Sequence, residues 1–326
     1  MNTHHNLKMK TVTIISGYYN RENHVDESVE SIINQDFDDY EVIIFDDAST
    51  DNTLKQLKKY KSKRLHIVAF PKNIGLVRGL STILREVTSR YIAIHGSGDI
   101  SYKTRISHQV NTLDSDQGIV IVSSNYVNHD IQNGIKKIVK HKPVWKRHEL
   151  YLKNPVNHGG VMFRNGIYQK VGGYRTAFQY SQDSDLWFRM TNHGDIAIPE
   201  AILYERIVQP DGVSYSPKKL IKQKQYGLLA RIASLQDENE QSILLRNVEK
   251  NGIDTVISHN HEKIKKDVFY MFHVLVAKGL HKDLGYILDR SKGFQRLYYR
   301  ATLFVIKFIL IRKTISLFYW AHQKLK

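Results

Sequence analysis

The 326-residue chain contains no cysteine. Disulfides, thiolate nucleophiles and Cys-ligated zinc or iron–sulfur sites are thereby excluded. Proline (6) and glycine (19) are scarce, which rules out collagen-like and Pro/Gly-rich disordered chains. No run reaches 18 uninterrupted apolar residues, so a clean membrane-spanning helix is not expected. The first ten residues, which include His4 and His5, lack the apolar core of a secretory signal. Residues 1–9 read as a disordered or tag-like leader, and the expected location is cytoplasmic. What remains is a globular composition, with 41% hydrophobic and 25% charged residues. At roughly 150 residues per domain that is material for about two domains.

Acidic residues are also short, at 32 against 48 Lys and Arg, giving a formal net charge of +16. The shortfall is local. Residues 212–326 carry 21 basic and 9 acidic side chains, whereas the first 211 carry 27 and 23. Such an asymmetry points to an anionic partner: a lipid surface, a phosphorylated substrate or nucleic acid. Phe294–Lys326 holds seven basic residues and no acid. On a helical wheel Arg296, Arg300 and Lys307 share a stripe, apolar residues cover most of the rest, and Tyr319 and Trp320 can act as anchors. This suits a helix in a membrane interface. It equally suits a helix packed on the catalytic domain or on a second copy in a homo-oligomer, with its basic stripe in water. The first alternative implies an anionic membrane surface as partner and a peripheral position on the inner face of the cell membrane. The basic residues sit in an apolar helical context rather than an aromatic-lined groove, so no nucleic-acid partner is expected.

Residues 10–125 alternate strand-like and helix-like segments. Thr11–Ser16, Glu41–Phe45, Arg64–Phe70, Tyr91–His95 and Ile119–Ser123 read as strands. Val25–Asn34, Thr53–Tyr60, Leu76–Val87 and Lys103–Leu113 read as helices. This predicts an α/β fold with a mainly parallel sheet flanked by helices. Asn133-Gly134 marks a hairpin, Asp185–Asn192 a further helix and Ala201–Ile207 a further strand. From about residue 216 the pattern is helical. The predicted division is a domain over 10–215 and a helical basic region over 216–326.

Ligands of such sheets bind beyond the carboxyl ends of the strands, and three loops there carry chemistry. Asp46-Asp47-Ala48-Ser49-Thr50-Asp51 places two carboxylates where they can accept hydrogen bonds from a nucleotide or cap a helix. His95-Gly96-Ser97-Gly98-Asp99 starts like a G-x-G-x-x-G fingerprint, but Ser101 replaces the third glycine. Its glycines allow close backbone approach to phosphate, and Asp99 is a candidate metal ligand. Gln182-Asp183-Ser184-Asp185 precedes an apolar helix face. One carboxylate can cap while the other acts as a general base. Trp187 reads as core. Tyr18, Tyr19 and Tyr180 are candidates for stacking on a base or sugar.

Thr11–Thr53 as a whole resembles the opening of the family 2 glycosyltransferases. The likeness continues through Asn73-Ile74-Gly75-Leu76, Asn157-His158-Gly159-Gly160, Val171-Gly172-Gly173-Tyr174 and Gln182–Trp187, spanning roughly residues 10–215. It implies the GT-A (Rossmann-like) fold, a nucleotide-sugar donor, and inverting transfer of a hexosyl or related group to a glycan or lipid-linked acceptor of surface-polysaccharide synthesis. By position, Asp183 falls on the catalytic base and Asp46 on the residue contacting the nucleotide base. Tyr19, Glu22, Asp47, Arg78, Gly98 and Asp99 join the donor site, and His158, Gln182 and Asp185 the acceptor side. The family's fourth strand ends in Asp-x-Asp-Asp, whose acids hold Mg²⁺ or Mn²⁺. Here Gly96 and Gly98 replace both acids of the D-x-D, leaving Asp99. A weakened or absent metal requirement is therefore expected, with Arg78, Lys103 or Arg105 as alternative cations. The competing reading is an inactive, glycosyltransferase-like scaffold.

Overall fold

A computed structural model describes residues 10–131, 133–208, 217–258, 261–277, 298–300 and 302–303. The leader at 1–9 and nearly all of the proposed interface helix at 294–326 lie outside these residues. By contacts the chain divides into two units, Met1–Pro210 with Tyr226–Arg246, and Asp211–Gln225 with Asn247–Lys326.

In the first unit the strands and helices follow in the order β1 (Val12–Tyr18), α1 (Asp26–Ile33), β2 (Tyr40–Asp46), α2 (Thr53–Leu57), β3 (Leu65–Ala69), α3 (Leu76–Leu84), β4 (Tyr91–Gly96), β5 (Ile100–Ser101), α4 (Arg105–Ser115), β6 (Ile119–Val122), β7 (Asn125–Asp130), β8 (Ile135–Val139), β9 (Val144–Trp145), β10 (Met162–Arg164), α5 (Asn165–Lys170), α6 (Gln182–Met190), β11 (Asp195–Ala197) and β12 (Ile202–Val208). The main sheet has the order β3-β2-β1-β4-β10-β6-β11-β9. Its half β3-β2-β1-β4 is wholly parallel. Strands covered on both faces need continuous apolar runs rather than alternation, and Val12, Ile14, Ile15, Ile92, Ala93 and Ile94 are accordingly buried. β10 enters antiparallel between β4 and β6.

A second sheet has the order β5-β12-β7-β8. The expected hairpin is present as β7 and β8, with Gly134 at φ +63° in the turn. β12 pairs parallel with β7, Tyr204 opposite Tyr126 and Arg206 opposite Asn128, and antiparallel with β5. This pairing brings β12 alongside the segment that leaves β4.

α7 (Pro217–Ala233), α8 (Glu238–Asn251), α9 (Ile253–Val256) and α10 (Glu262–Ala277) complete the described chain. In the second unit, Lys222 and Gln225 both bond Asp254, and Gln225 Nε2 also donates to the Ile257 carbonyl at 2.6 Å. Phe272 stacks on Tyr299 with ring centres 4.1 Å apart. No helix among the described residues is long and apolar enough to cross a membrane.

Candidate active site

The loops after β1 and β2 are laced together. Asn20 N–H donates to Ser49 Oγ, and Thr50 N–H donates back to Asn20 Oδ1 at 2.8 Å. Glu22 N–H donates to Asp51, while Glu22 Oε2 accepts from both the backbone and the side chain of Asn52. Asn20 and Ala48 hold left-handed backbone, φ +51° and +58°, a conformation that costs a non-glycine residue roughly 1–3 kcal/mol and clusters at ligand sites. Glu22 is thus a loop brace. Tyr19 is 45% exposed, open to stacking, whereas Tyr18 is buried and donates to Ser28 Oγ, which removes it from the stacking candidates.

Asp46 and Asp47 are both buried and differ in what they hold. Both oxygens of Asp47 accept backbone N–H groups, from Ile74 and Gly75, at 2.8 Å each. Asp47 therefore clasps the start of α3, with both oxygens already holding backbone N–H groups. Asp46 accepts from Ser49 N–H through Oδ2, while its buried Oδ1 has no partner among the described residues. A buried acceptor without a partner costs about 1–3 kcal/mol, and a ligand N–H at this loop would satisfy it.

The loop after β4 departs most from the family pattern. Asp99 is 9% exposed. Its Oδ2 accepts from the Tyr204 hydroxyl at 2.7 Å and its Oδ1 from Ile207 N–H at 2.8 Å. Burial lifts its carboxyl to about 6, against the pull of those two donors and of the Arg206 and Arg105 charges. Tyr204 also accepts Gly96 N–H at 2.9 Å. A Cβ at Gly96 would overlap Asp99 Oδ2, and one at Gly159 would meet the Tyr204 hydroxyl at 2.5 Å. Gly98, at φ +90°, gives its N–H to Ser28 Oγ, so that donor is spent inside the fold. Gly96 and Gly98 bring no side-chain oxygen, and both Asp99 oxygens are hydrogen-bonded within the protein. No group of three His, Asp or Glu able to hold an ion occurs among the described residues. This donor set does not fit a divalent ion.

The alternative cations divide. Arg78 and Lys103 are exposed. Arg105 is fully buried rather than on a solvated helix face. It donates to the Ile94 carbonyl at 2.9 Å, holds Gln109, and lies over the Tyr204 ring. Burial depresses it to about 10. Arg105 closes the end of β4 from inside and does not reach a ligand as a free cation.

On the opposite flank, α6 begins at Gln182, three residues before the predicted start, after Ser181 at φ +50°. Neither carboxylate makes a side-chain cap bond. Asp185 is 1% exposed and ion-paired to Arg175 and Arg189. Arg175 also reaches Gln241 at 2.8 Å. Asp185, expected on the acceptor side, is held by these two arginines and anchors the helix. Asp183 is half-buried, with Oδ2 held at 3.0 Å by Asn154 Nδ2 and no hydrogen bond to Oδ1 from any described residue. Gln182 is half-buried beside it. His158 bonds the Tyr174 hydroxyl at 2.8 Å. Burial lowers its pKa against the opposing charge of Asp183, which places the two near one another and keeps the imidazole neutral. The next residue, Gly159, abuts Asp99 and Gly96 N–H. The 157–160 segment thus joins the Asp183 flank to the β4 loop. Trp187 is core, as expected, and Tyr180 packs on Tyr226.

The family profile of glycosyl transferase family 2 matches residues 13–172. The glycosyltransferase EpsE of Bacillus subtilis is 31% identical over 188 residues, 56% of this chain and 67% of that protein. The chain belongs to glycosyl transferase family 2. A second family relative, the Escherichia coli UDP-Glc:α-D-GlcNAc-diphosphoundecaprenol β-1,3-glucosyltransferase WfaP, is 26% identical over 57% of this chain and 72% of its own length. The chain spans about two thirds of the length of the first curated relatives it matches. Among solved structures, S. aureus TarS in complex with UDP-GlcNAc superposes with a TM-score of 0.57 at 16% identity, covering 81% of each chain. That likeness establishes the GT-A fold.

Within this family frame, sequence reasoning missed Asn154, Tyr204 and Arg206. Asn154 precedes Pro155 in an unremarkable loop, and nothing local flags it. Glu205-Arg206 did leave a signal: two charges inside an otherwise apolar strand, where an unexplained charge asks for a partner.

Proposed function

We propose that this glycosyltransferase moves a hexosyl or related sugar from a nucleotide-sugar donor to a hydroxyl of a glycan or lipid-linked saccharide, with inversion, Asp183 acting as general base. One observation carries the reading: the Asp183 carboxylate has one oxygen fixed by Asn154 and the other open, beside the segment that abuts the β4 loop. In the step, Asp183 Oδ1 takes the acceptor hydroxyl proton as that oxygen bonds to the anomeric carbon. The bond from that carbon to the donor's phosphate oxygen breaks, and its electron pair leaves with the nucleoside diphosphate. Asp46 Oδ1 accepts an N–H of the nucleotide base, and Tyr19 stacks against it. Neutral His158 and Gln182 line the acceptor side without cancelling the charge on Asp183.

WfaP, whose named acceptor is a diphosphoundecaprenol-linked sugar, supports a lipid-linked acceptor. The UDP-GlcNAc complex of TarS supports a nucleotide-sugar donor. Transfer proceeds without a firmly held Mg²⁺ or Mn²⁺. The test is to incubate the chain with α-linked nucleotide sugars and a diphospholipid-linked GlcNAc acceptor, then read the product's anomeric configuration by NMR. A β-linked product is expected, and an α-linked product overturns the inverting mechanism.

A further inference from the structure

We propose that Arg206 supplies, as a fixed side-chain charge, the counter-charge that the donor's departing diphosphate needs, in the place where the family pattern puts a divalent ion. The inference rests on the nucleotide-sugar reading above and goes beyond it by naming the group that replaces the metal.

The argument starts from strand register. From Tyr204 to Val208, β12 pairs regularly with β7, so side chains alternate between its faces. Glu205 lies on one face, bound by Tyr102, His129 and Lys136. Tyr204 and Arg206 share the other, two residues apart and roughly 7 Å along the strand. Tyr204 is the residue whose hydroxyl touches both Gly96 N–H and Asp99. The residue after Arg206, Ile207, gives its N–H to the same Asp99. The Arg206 backbone is thereby pinned against the loop in which the family's metal-binding acids are missing. Its charge is felt by Asp99 on one side and by Tyr126 on the other.

The Arg206 side chain has no hydrogen bond or ion pair among the described residues, and the residue is half-buried. The other basic side chains around this loop are accounted for. Arg105 is spent on carbonyls and on Gln109. Lys136 is paired with Glu205, and Lys103 is out in solvent. Asp99 is buried, with both of its oxygens turned to Tyr204 and Ile207. A Cβ at position 96 is blocked by Asp99 itself. The loop is therefore built around a carboxylate turned inward and a guanidinium left over. When the anomeric C–O bond breaks, negative charge develops on the outer phosphate. A partly desolvated guanidinium on a strand held against this loop stabilises it and can do so with two parallel N–H···O bonds.

The full-length chain is titrated calorimetrically with UDP, dTDP, GDP and CDP and with the matching monophosphates, in EDTA and in Mn²⁺. For the nucleotide that binds, diphosphate affinity should differ by less than about threefold between the two conditions. Arg206→Gln should weaken the diphosphate roughly tenfold or more while shifting the monophosphate by less than about threefold, and Arg206→Lys should fall between. Circular dichroism confirms that each variant is folded. Unchanged diphosphate affinity in Arg206→Gln, or an equal loss for mono- and diphosphate, overturns the role of Arg206. Wild-type binding that appears only with Mn²⁺ overturns the replacement of the metal. If none of the four diphosphates binds, the donor reading itself fails and takes this inference with it.

Discussion

Asp46 with Asp47, at the end of β2, and Asp183 with Asp185, at the start of α6, are two pairs of near-neighbour carboxylates. In each pair one member is wholly consumed by the fold. Asp47 accepts two backbone N–H groups, and Asp185 takes two guanidinium groups. The other member keeps one oxygen without a protein partner. The lesson is a division of labour: a ligand-facing carboxylate gains its fixed position from a neighbour that faces inward. Motif matching does not separate the two, because both members of each pair lie inside one short block of the family resemblance, Asp46–Asp51 or Gln182–Trp187.

The comparison breaks if substitutions within a pair behave alike. Asp183→Asn should cut transfer by about 10²–10⁴-fold, the usual worth of a general base, with an unchanged unfolding midpoint. Asp185→Asn should do the reverse. Leaving two arginines short of their buried partner costs about 3–5 kcal/mol of stability, read in a urea melt, with nucleotide affinity retained in whatever fraction stays folded. Matching phenotypes for these two would dissolve the distinction.

Asp99 offers a subtler contrast, since it is inward-facing yet raised to about 6 from an ordinary 3.8. A carboxyl raised in the folded state contributes stability that is fully present below 3.8 and lost as pH climbs through about 6. Relative to Asp99→Asn, the wild type should gain up to about 3 kcal/mol on going from about pH 7 to about pH 4. A pH-independent difference between the two would mean that Asp99 is ionised at no cost. The smallest expected effect belongs to Asp46→Asn. It should lower nucleotide affinity about tenfold, or about 1.4 kcal/mol, while moving stability little, because Ser49 N–H keeps an acceptor. Asp47→Ala, which strands two N–H groups, should move stability more than affinity.

Much of the fold was legible because buried parallel strands announce themselves as short apolar runs. Helix starts were less legible: α6 begins three residues early because Ser181 in left-handed backbone, rather than a capping acid, turns the chain. In the site, Asp46 and Asp183 were found through the spacing of the family blocks. Tyr204 and Arg206 were not, since Tyr204 meets Asp99 across more than a hundred residues and only the order of the second sheet brings β12 to that loop. Arg105, expected as an alternative cation, was illegible for a related reason: only the fold shows that the Ile94 carbonyl at the end of β4 takes its donor.

The fit of Gly96, Gly159, Asp99 and Tyr204 around one another couples three separate segments of the chain. Placing an acid at position 96 demands that Asp99 swing out, which strands the tyrosine hydroxyl and the Ile207 amide together. Any bulk at 159 meets that same hydroxyl. A single substitution toward an acidic loop therefore loses packing before it gains an ion-binding oxygen, and such a change has to be made at several of these positions at once.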